Sequence, residues 1–150
     1  MATINLSGLD DVVRRIDKLG SKMTETVDKM LNAGGYEMKA EQQNVLSTSH
    51  RHILTGSMHD KIGYTNPKGV GTGRQTTVYP RGVDGKKTSN ARKGFILNYG
   101  TGERYTKKGY YRGKIVADHW FDYGVDAATP KVEDKMRQVF EEQINEIMEE

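Results

Sequence analysis

The chain contains no cysteine, which excludes disulfides and thiolate-bound metal at once. It has no apolar run near the roughly 18 residues that cross a bilayer, so neither a transmembrane helix nor a membrane partner is expected. Met1-Ala2-Thr3-Ile4-Asn5 has neither a basic n-region nor an apolar h-region. No secretory signal peptide is expected there, and synthesis in the cytoplasm follows. Apolar residues are also scarce, at 35% with a mean hydropathy of -0.76. A chain this polar holds a modest core and leaves apolar surface for a partner. Its 150 residues suit one domain spanning 1–150.

What the chain has is segregated charge. The net charge is +3, but residues 81–114 carry ten Lys or Arg against Asp84 and Glu103. Residues 126–150 carry eight acids against Lys131, Lys135 and Arg137. A basic middle and an acidic end suit a protein that meets a charged partner or its own neighbour.

Ser7 reads as a helix N-cap with Asp10 in the capping-box role, and Leu9, Val12, Val13, Ile16 and Leu19 follow at helical spacing to a stop at Gly20. Ser21 reads as the cap of a second helix with the stripe Met23, Val27, Met30, Leu31, Met38 and Val45. Gly34-Gly35 interrupts it, as a kink or a close helix contact. Residues 61–65 and 75–79 alternate as half-buried strands do, and Pro80 ends the second. Two basic loops, at about 81–93 and 103–114, bury almost nothing and are expected to be mobile. Between them, residues 95–99 are too short and apolar to be assigned as strand or helical turn by pattern. Gly100 and Gly102 bracket Thr101 in a tight turn. Thr129-Pro130 marks the last helix start, and Val132, Met136, Val139, Phe140, Ile144 and Ile147 form its apolar face. The expected fold is α+β, with N-terminal helices and a long C-terminal helix packed on a small antiparallel sheet.

Chemistry is thinly signalled. His50 and His52 stand two apart with His59 nearby, but no Asp, Glu or Cys sits beside the pair at a ligand spacing. Exposed or hydrogen-bonded histidines fit better than a metal site. Gly69-Val70-Gly71-Thr72-Gly73 precedes a strand rather than a helix, so a hairpin fits better than a phosphate cradle. No nucleophile motif is present, and no enzyme and no cofactor are expected. Eight of the twelve aromatics fall between Phe95 and Tyr123, interleaved with Lys and Arg. Single-stranded nucleic-acid binders are built this way, and so are protein interfaces. Trp120 and Phe121 read as core, and the tyrosines as surface.

Thr55-Gly56-Ser57-Met58, then Gly94-Phe95-Ile96-Leu97-Asn98-Tyr99-Gly100-Thr101-Gly102, then Ala117-Asp118-His119-Trp120-Phe121 stand in that order before the last helix. Together they resemble the minor tail-component, or tail-completion, family of tailed bacteriophages, whose members join tail to head at the neck. The resemblance implies a structural virion protein without a catalytic site. It implies a ring, expected to be hexameric, between the head-side connector and the tail terminator or tail tube. DNA would pass through the lumen, and the protein would move from host cytoplasm to virion. The interface expected on this basis comprises Tyr99, Thr101, Arg104, Tyr105, Lys107, Lys108, Tyr110, Tyr111 and Arg112. The rival expectation is a nucleic-acid-binding module gripping through residues 81–114.

Overall fold

The computed structural model describes residues 9–48 and 56–149. Its frame is a pair of long helices, α1 (Leu9–Thr48) and α4 (Trp120–Glu149). At 1.5 Å rise per residue these span about 60 Å and about 45 Å. Their contacts run in opposite directions along the two segments. The Arg15 guanidinium donates to the Met148 carbonyl at 3.3 Å, Lys29 donates to Gln143, and Lys131 pairs with Glu41. Gln42 packs on Gly124. The pair is therefore antiparallel.

The expected break at Gly20 does not occur. A side chain there would meet open space, and helix runs unbroken through Gly20 and Ser21. The two apolar stripes are in phase, Leu19 leading to Met23 four residues on, so one helix carries both. Ser7, the expected cap, lies outside the described residues. Gly34-Gly35 is a site of close contact. A Cβ at Gly34 would lie 3.1 Å from Val132 and Met136, and one at Gly35 would lie 3.0 Å from the Tyr64 ring.

The last helix begins ten residues before the expected Thr129-Pro130 start. Its cap is tertiary. Asn98 Oδ1 accepts from the Phe121 N–H at 2.8 Å, and the Asn98 carbonyl accepts from His119 N–H at 3.1 Å. Pro130 sits inside the helix, where it removes one backbone hydrogen bond. The helix continues because residues on both sides of it, Gly124, Ala128, Val132 and Met136, face α1. Thr129 donates to the Val125 carbonyl at 2.8 Å rather than capping. Of the expected apolar face, Ile147 is buried and Val132, Met136, Val139 and Ile144 are half-buried. Phe140 is 37% exposed and lies off that face.

A small α+β cap covers the end of the pair where α4 begins. It contains α2 (Ser57–Asp60), β1 (Ile62–Tyr64), β2 (Lys68–Val70), β3 (Gly73–Gln75), β4 (Val78–Pro80) and α3 (Asn90–Tyr99). β1 pairs with β4 antiparallel, Ile62 opposite Pro80, so Pro80 closes its strand as expected. The glycine-rich run forms a second hairpin, β2 with β3, and Gln75 belongs to it rather than to β4. The Arg74 guanidinium grips the Asp28 carboxylate through two nitrogens and pins this hairpin to α1. The core is Leu46, Met58, Ile62 and Trp120, with Val78, Leu97 and Phe121 packed around it. Among the described residues no helix is long and apolar enough to cross a membrane.

Candidate interface arm

Residues 94–120 form one construction. Trp120, almost fully buried, donates its indole N–H to the Gly94 carbonyl at 3.1 Å and stands edge-on to Phe121. Residues 95–99, undecided by sequence pattern, are helical within α3. Residues 90–93, expected as loop, are its first turn. Ser89 Oγ accepts the Arg92 N–H at 3.3 Å and caps it. The preceding loop, 81–89, is tied together by Asp84, whose Oδ1 accepts the N–H groups of Lys86 and Thr88 and whose Oδ2 meets Lys93. The Lys93 hydrogen bond, then the Thr88 N–H, hold the Asp84 carboxyl below the ordinary 3.8.

At Gly100 the chain turns with φ 72° and ψ -169°, a conformation open to glycine and little else. A Cβ there would fall 2.7 Å from the Ala117 nitrogen and 2.7 Å from the Ile115 carbonyl oxygen. Thr101 then clamps the returning strand. Its N–H donates to the Ile115 carbonyl at 2.8 Å, and its Oγ1 accepts the Ile115 N–H at 3.0 Å.

Beyond this clamp, residues 102–114 form a narrow two-stranded arm. The Arg104 N–H donates to the Gly113 carbonyl, and the Arg112 N–H donates to the Arg104 carbonyl. Thr106 N–H donates to the Tyr110 carbonyl, and Gly109 N–H turns back to Thr106. Tyr105 and Tyr111 are bridged partners with ring centroids 5.4 Å apart. Tyr105 donates its hydroxyl to Glu103 at 2.8 Å, which pushes its pKa above 10.0.

The structure brings seven of the nine expected interface residues onto this arm: Arg104, Tyr105, Lys107, Lys108, Tyr110, Tyr111 and Arg112. All seven are exposed, Tyr110 by 70%. Arg104 is partly occupied, donating to the Gly113 and Arg112 carbonyls at 3.4 and 3.3 Å. Thr101 is half-buried at the base, where its polar groups serve the clamp. Tyr99 lies on α3, its ring 4.8 Å from Phe95. Sequence reasoning missed Phe95 and Val116 as exposed apolar surface, at 63% and 74%, whereas Tyr123, read as surface, is 57% exposed. The Phe95–Tyr99 spacing of four was the available signal, and it is informative only once the segment is known to be helical.

His50 and His52 lie outside the described residues, as do Leu54 and Thr55. His59 Nδ1 is 2.8 Å from Asp60, and among the described residues no three His, Cys, Asp or Glu side chains are grouped to hold a metal. A cleft of about 190 Å³ between α1 and α4 is lined by Glu25, Lys29, Gln143 and Glu146, which bond to one another in sequence. Comparison with protein-family models, with curated proteins and with solved structures gave no match.

Proposed function

We propose that this chain is a structural component of a phage or phage-like tail. In this reading copies form a ring at the head-proximal end of the tail and join it to the head-side connector. The supporting observation is the arm: five cations and three tyrosines on an exposed hairpin whose base is clamped by Gly100, Thr101 and Ile115. An arm fixed at its base and free along its length is suited to reach a neighbouring subunit, and Tyr and Arg are the residues that anchor protein interfaces. The order of the turn and aromatic segments, which resembles that of the tail-completion family, is the second support. The reading assigns the chain no catalysis and no cofactor.

The test is particle assembly. Lysates lacking this protein should contain unjoined heads and tails by negative-stain imaging. Complementation with Tyr105→Ala/Tyr110→Ala/Tyr111→Ala should fail although that variant is folded. Joined particles in either case would refute the reading. The interleaved rings and cations also suit a single nucleic-acid strand, which is the alternative. Under it, Arg104, Lys107, Lys108 and Arg112 changed to Gln should weaken DNA retention with a steep salt dependence while particles still form.

A further inference from the structure

The arm has a complement on its own chain whose apolar strip lies beyond its reach. Residues 103–114 carry net +4, and residues 133–149 of α4 carry net -4. Within that acidic stretch, Phe140, Ile144 and Met148 recur every four residues and line one side of the helix. Phe140 is 37% and Met148 40% exposed, so large apolar side chains meet solvent along a helix already packed on its other side. Glu133 and Glu141 flank the strip and have no cation partner among the described residues. At the same end of the helix pair, beside Met148, α1 exposes Val13 and Ile16.

The arm springs from the opposite end. From Thr101 to its tip near Lys107 an extended strand covers about 20 Å at roughly 3.3 Å per residue. Phe140 lies twenty residues into α4, about 30 Å along it at 1.5 Å per residue. The arm's hydrogen bonds all run within 101–115. Two surfaces of matching charge and apolar character at opposite ends of one chain define a head-to-tail contact that repeats from copy to copy.

We propose that the arm of one copy docks on the acidic stretch 133–149 of α4 of a second copy. Its Tyr105–Tyr111 pair covers Phe140, Ile144 and Met148, and Lys107 and Lys108 face Glu133 and Glu141. The inference deepens the ring reading and rests on it.

A chain without cysteine gives a clean background for cross-linking. Lys107→Cys and Glu141→Cys, both at exposed positions, are prepared separately and mixed with a short bismaleimide. The mixture should yield a covalent dimer joining the two variants, and neither variant alone should. In sedimentation, Lys107→Glu/Lys108→Glu and Glu133→Lys/Glu141→Lys should each weaken self-association roughly thirtyfold or more, and the four changes in one chain should restore it. Unchanged melting temperatures would show that all variants fold.

Assembly that survives both reversals would overturn the docking and leave the ring reading standing. A wild-type chain that is monomeric alone and yet enters tails would overturn the self-contact and assign the arm to another tail protein. Failure to self-associate and to enter particles would overturn both. Binding of an oligonucleotide that the arm reversal abolishes, with assembly unaffected, would overturn the docking in favour of a nucleic-acid grip.

Discussion

Replacing Gly100 with alanine tests whether the arm is held by its base. Two effects add. The φ of 72° with ψ of -169° lies in a region closed to side chains, at roughly 1–3 kcal/mol. The new methyl would also sit 2.7 Å from two main-chain atoms, the Ala117 nitrogen and the Ile115 carbonyl oxygen, which cannot rotate away as a side chain does. Relief requires residues 115–117 to move, and that breaks the paired Thr101–Ile115 hydrogen bonds, each worth about 1 kcal/mol. The expected loss is about 3–5 kcal/mol, which for a chain of this size lowers the melting temperature by on the order of 10 °C. If the arm detaches before the core yields, the loss appears first as faster amide exchange within 101–115. Gly102→Ala is the control, because Gly102 has no atom within 4 Å of the added methyl and no left-handed φ. Thermal unfolding followed by circular dichroism, with exchange mass spectrometry on the arm, makes the comparison. Equal behaviour of the two variants in both measurements would refute the clamp.

Gln42 is fully buried against Gly124 with neither side-chain polar atom hydrogen-bonded, so Gln42→Leu should stabilise the protein by about 1–3 kcal/mol in urea titration. A loss of stability there would show that the amide is satisfied in solution. Trp120→Phe removes the bond to the Gly94 carbonyl and leaves a gap in the core, and it should cost about 2–4 kcal/mol, whereas Phe140→Ala, at an exposed position, should cost under about 1 kcal/mol. Asp84 has its carboxyl held below 3.8, so its contribution is complete above that pH and is lost as pH falls through the lower folded value. The amide resonances of Lys86 and Thr88, which donate to Asp84, should stay constant from neutral to about pH 4 and move only below it, and Asp84→Asn should reproduce the acid positions at neutral pH.

The long helices, the β1–β4 ladder and the glycine hairpin were legible because each is written in local periodicity or turn chemistry. The start of α4 was not. Thr129-Pro130 carries a local start signal, but the working cap is Asn98, 23 residues before Phe121 in sequence and next to it only in space. Gly20 failed as a stop for the complementary reason: stop signals act when the following residues lack a reason to continue, and the stripe from Met23 onward supplies one. Phe140 was misplaced because the buried face follows Ala128, Val132, Met136, Gln143 and Ile147, and Phe140 falls one position past Val139 on the helix. The arm was visible as composition but not as a ladder. Its strands show no alternation, since both faces are exposed and nothing selects an apolar side.

Two of the motif segments of the sequence, residues 94–102 and 117–121, serve a single junction. Gly94 receives the Trp120 indole, Asn98 caps the helix at Phe121, Gly100 packs on Ala117, and Thr101 holds Ile115. Each pair joins a residue of 94–101 to one of 115–121, so the intervening residues, 102–114, are expelled as an arm whatever their own composition. The order and spacing of those segments therefore encode how the arm is mounted. The chemistry of recognition lies in the residues between them, where Tyr105, Tyr111 and the surrounding cations are exposed. Mounting and recognition are then separable. Changes at Gly100 or Asn98 act through stability and arm position, and changes at Tyr105 or Lys107 leave the junction intact and act only on what the arm meets.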